Sequence, residues 1–270
     1  MIIFPEAAAE KREQLMALLS TLDITGFEET ENKLMAYIEE EKYDEAAVTA
    51  IATTMNISFE TEVIAQRNWN EEWEKNFEPV IIDDFCSVRA YFHPKPDNVA
   101  HDIIITPKMS FGTGHHATTA SMITLMRDID FKGKEVFDFG TGTGILAILA
   151  EQLGATKILA IDNDEWSYVN AVENCERNNT SNVEVQQAVI ENIGNAQYDV
   201  ILANINRHIL LAYMKQMAIC TKKQGIVLLS GILTEDVEMI RSAAEENGFV
   251  FDKQKIEGNW VCMQFVKANL

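Results

Sequence analysis

The stretch Asp138-Phe139-Gly140-Thr141-Gly142-Thr143-Gly144 lies between the apolar run Val136 to Phe139 and a second apolar run that begins at Ile145. An apolar strand that ends in alternating glycines and restarts as an apolar helix leaves few folds open. Glycine accepts the positive φ of a tight turn, and without a Cβ it lets backbone approach a ligand or another segment closely. In a parallel sheet such a turn falls at the carboxyl edge, where open α/β folds bind nucleotides. The flanking pattern agrees. Strands are expected at Val136–Phe139, Lys157–Ile161, Val183–Gln187, Val200–Ala203 and Ile226–Leu229, with helices at Ile145–Leu153, Glu165–Arg177, Ile209–Thr221 and Thr234–Asn247 between them. Two further β runs, Phe249–Lys255 and Trp260–Val266, close the chain. This alternation predicts an α/β fold, a doubly wound, mostly parallel, seven-stranded Rossmann-like sheet with an antiparallel hairpin at one edge.

Such a sheet does not use all 270 residues, and the length suggests one large or two unequal domains. Residues 1–64 hold 14 acids and 4 bases, half of the chain's net charge of −20. Their runs, Ile2-Ile3-Phe4, a helix around Leu15, Leu18, Leu19 and Leu22, strands at Ile24–Glu28 and Lys33–Ile38, a helix at Tyr43–Met55 and a strand at Ile57–Ala65, follow the βαββαβ order of a small α+β ferredoxin-like domain. The expected division is a small acidic domain at 1–66, a linker helix at 67–78 and the large α/β domain at 79–270. The linker carries Trp69 and Trp73 four apart, placed either to dock that helix or to touch a substrate.

A field as negative as 22 Lys plus Arg against 42 Asp plus Glu repels phosphate backbones and anionic lipid, so nucleic acid and membrane are poor partners. Cys86, Cys175, Cys220 and Cys262 are widely spaced, with no C-x-x-C pair, and neither a disulfide framework nor a metal site is expected. No run reaches 18 apolar residues, and the start lacks a basic segment before a long apolar stretch; the expected setting is the reduced cytoplasm.

Asp162 ends the next strand 22 residues after Gly140, where a carboxylate can accept hydrogen bonds from ribose hydroxyls. A dinucleotide site uses G-x-G-x-x-G, whereas this chain has G-x-G-x-G with Asp138 two residues earlier. That spacing resembles the first motif of class I S-adenosylmethionine-dependent methyltransferases, and S-adenosylmethionine is favoured over NAD. Asn204-Ile205-Asn206-Arg207 directly follows the strand Val200–Ala203, so Asn204 either caps the next helix or lies beside a methyl donor. It lacks the two prolines and aromatic found at this point in enzymes that methylate planar amides or base amino groups. The loop from Pro107 to Thr119 holds two glycines, three threonines, His115 and His116, as a binding loop or a simple lead into a helix would.

Together, Phe111-Gly112-Thr113-Gly114-His115-His116-Ala117-Thr118-Thr119, the glycine turn, Asp162, Asn204, Ser230-Gly231-Ile232-Leu233 and Gly258-Asn259-Trp260-Val261 resemble, in order and spacing, the ribosomal protein L11 methyltransferases over essentially the whole chain. The resemblance implies cofactor contacts at Thr119, Gly140, Gly142, Asp162, Asn204, Phe111 and Gly112, with Asn204 also catalytic. It further implies S-adenosylmethionine as cofactor, lysine side chains and the N-terminal α-amine of ribosomal protein L11 as acceptors, and an N-terminal domain that docks that protein. The alternatives are a class I methyltransferase for another amine or a small molecule, and a non-catalytic assembly factor that binds S-adenosylmethionine.

Overall fold

The computed structural model describes residues 1–5, 9–30, 33–63, 77–106, 117–194 and 196–269. The chain divides into two compact units, Met1–Asn68 and Trp69–Leu270.

In the first unit, β1 (Ile2–Phe4), α1 (Ala9–Leu19), β2 (Gly26–Glu29), β3 (Leu34–Tyr37), α2 (Glu45–Met55) and β4 (Glu60–Thr61) follow one another. The sheet runs β2-β3-β1-β4, with every neighbouring pair antiparallel. Ile2 and Phe4, then Leu34 and Ala36, alternate onto one face and meet Leu15 and Leu19 of α1 and Val48, Ala52 and Met55 of α2. Helix α2 starts where the Asp44 side chain accepts the N–H groups of Ala46 and Ala47, and it stops at Asn56 in the left-handed region (φ 52). The strand expected from Ile57 to Ala65 is formed, among the described residues, only at Glu60–Thr61. The expected linker helix, with Trp69 and Trp73, lies outside the described residues except at its last positions.

The second unit opens with a three-stranded sheet, β5 (Val80–Ile82), β6 (Cys86–Ala90) and β7 (His101–Ile105), in which β6 and β7 are parallel. Between them Arg89 donates from Nε and Nη2 to Asp102, at 2.9 Å each, and Ser87 Oγ donates to the same carboxylate at 2.8 Å. Burial resists ionisation of Asp102, but these hydrogen bonds outweigh it and hold the carboxyl below its ordinary range.

Then come α3 (Ala117–Met126), β8 (Glu135–Phe139), α4 (Ile145–Gln152), β9 (Lys157–Asp162), α5 (Glu165–Arg177), β10 (Val183–Gln187), β11 (Tyr198–Asn204), α6 (Arg207–Cys220), β12 (Thr221–Leu233), α7 (Val237–Glu246), β13 (Phe249–Glu257) and β14 (Trp260–Lys267). The last seven strands from β8 form one sheet in the order β10-β9-β8-β11-β12-β14-β13. All pairings are parallel except those of β14, which runs antiparallel to both β12 and β13. Successive side chains of β8 serve opposite faces: Val136 packs with Met122 of α3 and Ile148 of α4, while Phe137 packs with Leu210 and Met214 of α6. Because both faces are covered, the central strands read as unbroken apolar runs. The order reverses between β8 and β11, and ligands of open α/β sheets bind at such a switch.

Strand β12 exceeds the expected Ile226–Leu229 at both ends. Helix α6 passes directly into it through an irregular stretch with Gln224 at φ 61, and the pairing with β14 shifts between Leu229 and Ile232, around Gly231 at φ 82. The helix expected from Thr234 starts at Val237, because Thr234–Asp236 form a 3₁₀ turn. All four cysteines are free and buried, and burial pushes the Cys86 and Cys262 thiols up to about 12 and that of Cys175 to about 11. Among the described residues no His, Cys, Asp and Glu cluster could hold a metal ion, and no helix is long and apolar enough to cross a membrane.

Candidate active site

The glycine turn after β8 is tied down largely by its own and nearby backbone. Gly140, Gly142 and Gly144 take φ values of 72, 55 and 81. The N–H groups of Gly140 and Thr141 both donate to the Ile161 carbonyl at 2.9 Å, which fixes the turn against the end of β9. Asp162, one residue on, accepts the Gly142 N–H at 2.9 Å on Oδ2 and the Asp164 N–H at 3.1 Å on Oδ1. A Cβ on Gly144 would come within 3.3 Å of Ala171 Cβ, so this glycine lets α5 pack against the turn.

Asp138 lies beneath the turn and is fully buried. Its Oδ2 accepts the Thr141 hydroxyl at 2.6 Å, while Oδ1 has no partner. Burial, aided by the nearby Asp162 charge and opposed by the Thr141 hydrogen bond, raises its pKa to about 7.

The second turn, Asn204-Ile205-Asn206, leaves the neighbouring strand β11. Asn204 Nδ2 donates to Oγ1 of Thr119 in the first turn of α3 at 3.1 Å. Asn204 therefore does not cap α6; the N-cap residue is Asn206, whose side chain makes no capping hydrogen bond. Ile205 fills the gap between the two turns. A Cβ on Gly140 would overlap Ile205 Cγ2, and a Cβ on Gly231 would overlap the Ile205 carbonyl oxygen. Thr119, Gly140, Gly142, Asp162 and Asn204 thus gather at the switch point, whereas Phe111 and Gly112 lie outside the described residues.

One group of residues escaped the sequence reading. Asn170 and Asn174, on the inner face of α5, and Asn178, at its C-cap, follow one another at four-residue intervals. Asn174 Nδ2 donates to the Thr143 carbonyl of the glycine turn at 2.8 Å, and its Oδ1 accepts the Thr106 N–H at 2.8 Å. Asn178 Oδ1 accepts from Ile104 N–H at 2.9 Å, and its Nδ2 donates to Ile104 O at 2.6 Å. These asparagines join the end of β7 to the turn. Polar residues recurring at helical spacing on a buried face were the available signal.

The chemistry of the turn discriminates between ligands. A pyrophosphate needs free N–H donors, yet the Gly142 N–H is already committed to Asp162, and Asp138 and Asp162 place two carboxyl groups there. A ligand with a cationic end and a ribose suits this environment: Oδ1 of Asp138 makes no hydrogen bond, and the Asp162 oxygens retain lone pairs for hydroxyls. The strand order and this acceptor-rich turn define a class I S-adenosylmethionine-dependent methyltransferase. The family described as "Ribosomal protein L11 methyltransferase (PrmA)" matches residues 4–268. The chain belongs to this family.

Individual comparisons agree. The ribosomal protein L11 methyltransferase of Bacteroides thetaiotaomicron is 39% identical over 259 residues, 93% of this chain and 92% of the relative. That of Porphyromonas gingivalis is 38% identical over 264 residues, covering 93% and 89%. The crystal structure of a ribosomal protein L11 methylase from Lactobacillus delbrueckii subsp. bulgaricus matches with a TM-score of 0.65 at 28% identity, over 72% of this chain and all of the other.

Proposed function

We propose that this chain transfers methyl groups from S-adenosylmethionine to amino groups of ribosomal protein L11, lysine side chains and the N-terminal α-amine among them, in the cytoplasm. The observation that carries the reading is the placement of Asn204 against Thr119 beside the glycine turn, at the sheet's switch point. Bound S-adenosylmethionine supplies an electrophilic methyl group on a sulfonium. Asp138 and Asp162 are the groups for its cationic end and its ribose, and Gly140 and Gly142 keep the backbone close to it. With Nδ2 of Asn204 committed to Thr119, its Oδ1 is the atom left to accept an N–H from an incoming amine and so direct the lone pair.

The amine has to arrive neutral, since an ammonium has no lone pair. For a lysine of pKa near 10.4 that costs about 4.6 kcal/mol at pH 7, and about 1.4 kcal/mol for an α-amine near 8. An amide cannot take up that proton, so the work of Asn204 is orientation and selection of the uncharged form. We assign partner recognition to the acidic N-terminal unit, because 14 acids against 4 bases in residues 1–64 complement a basic protein.

Intact-mass measurement of unmethylated ribosomal protein L11, incubated with the full chain and S-adenosylmethionine, tests the reading. A ladder of methyl additions is expected from the wild type, and Asn204→Ala should lower kcat about 100-fold while cofactor affinity stays within about threefold. Normal turnover by Asn204→Ala would remove Asn204 from the chemistry. Cofactor binding without any gain in mass on L11 would move the activity to another acceptor.

A further inference from the structure

We propose that Arg207 and Asp236 form a positioning pair that holds the Asn204 turn in register, an inference that rests on the role given to Asn204 above. Asp236 ends the 3₁₀ turn after β12, and its side chain is 8% exposed. A carboxylate so removed from water needs a partner, and Nη1 of Arg207 donates to its Oδ1. The pair therefore ties together the connections that leave two adjacent strands, β11 and β12.

Arg207 is hard to explain any other way. It is the first residue of α6, where a cation opposes the helix dipole. The first turn of α6 holds no acidic residue, and Asn206 supplies no side-chain cap. Asp236 provides across the gap the negative charge that the helix start lacks. Three residues upstream stands Asn204. The segment between them is held at three other points: by Thr119 at the Asn204 amide, by Gly140 at the Ile205 side chain and by Gly231 at the Ile205 carbonyl. Those three contacts fix the strand side of the turn. Arg207 is the side chain that fixes its helix side, and its described partner is Asp236 rather than a residue of the glycine turn. Its loss should consequently move the Asn204 amide relative to the amine and leave the cofactor turn alone.

The test uses the full chain with L11 and S-adenosylmethionine, comparing Arg207→Ala, Asp236→Asn, Arg207→Lys, Asn204→Ala and the Asn204→Ala/Arg207→Ala double variant. Arg207→Ala and Asp236→Asn should each lower kcat about tenfold, with the cofactor Kd changed less than about twofold, and Arg207→Lys should recover part of the loss. If Arg207 acts through Asn204, adding Arg207→Ala to Asn204→Ala should lower kcat less than about twofold further. A pair that serves only stability would shift the thermal midpoint and leave kcat per folded molecule intact, and that result overturns the proposal. So would losses that multiply in the double variant. If Asn204→Ala alone turns over normally, the fault lies in the role given to Asn204; if it is impaired while Arg207→Ala is not, only the positioning role falls.

Discussion

The turns after β8 and β11 lie side by side at the carboxyl edge of one sheet, and they are held for opposite reasons. The first carries its own glycines at positive φ and is fixed by backbone hydrogen bonds to Ile161 and by Asp162, at the end of the neighbouring strand β9. The second, Asn204-Ile205-Asn206, has no glycine. Its space comes from glycines in other segments, Gly140 and Gly231, and its anchors are the side chains of Thr119 and Asp236. A turn can meet its steric demand within its own sequence or transfer it to neighbours, and only the first arrangement survives when the segment is viewed alone.

At a fixed pH the largest effect on stability should come from removing borrowed space. Gly231→Ala sets a Cβ against backbone, the Ile205 carbonyl, at φ 82, and no rotamer change relieves either strain; a loss of about 3 kcal/mol is expected in urea unfolding. Gly140→Ala meets only the end of the Ile205 side chain, so it should cost less, and adding Ile205→Ala should restore part of the difference. Equal costs for the two glycines, with no recovery, would mean that Ile205 is not the shared obstacle.

Asn174→Ala tests the self-contained turn. It removes the donor to Thr143 and the acceptor of the Thr106 N–H in a fully buried place, and the unpaired backbone groups should cost about 2 kcal/mol. Cofactor Kd should weaken with it, whereas Asn178→Ala, whose side chain bonds Ile104 and the Asn174 carbonyl but not the glycine turn, should leave that Kd nearly unchanged. Matching effects on Kd would deny that Asn174 supports the turn.

The last prediction is a pH dependence, read as a slope. The folded Asp138 pKa of about 7 exceeds its ordinary 3.8, so the folded protein keeps a proton that the unfolded chain releases. The resulting stabilisation is complete below about pH 4 and is lost as the pH rises to 7. Asp138→Asn should therefore flatten the decline of the thermal midpoint across that range. Identical slopes for variant and wild type would show that Asp138 is ionised in the folded state.

The legible parts of the sequence were those whose physics is local. Glycines at 140, 142 and 144 announce a turn by composition, and Asp162 follows at a readable spacing. The order of strands and helices around them came from periodicity, and Glu165–Arg177 and Val183–Gln187 agree with the observed bounds. Illegible were the features created by packing. Nothing near Gly231 indicates that its absent Cβ makes room for a carbonyl 26 positions earlier, and the ends of β12 depend on a direct passage from α6 that Lys222 to Gly225, polar and glycine-containing, disguise as a loop. Asn204 could be read equally as a helix cap or a site residue; only the fold, with Asn206 at the N-cap and Asn204 donating to Thr119 85 positions away, removes the cap.

The wedging of Ile205 between Gly140 and Gly231 also bears on how such a chain can diverge. The three positions are sterically coupled. A larger residue at 140, strained at φ 72 in any case, finds room only after the residue at 205 has shrunk, and a change at 231 waits on a shift of the backbone at 205. Substitutions there are expected to arrive in that order across descendants, and their coupling would mark lineages in which the acceptor side of the site has been rebuilt.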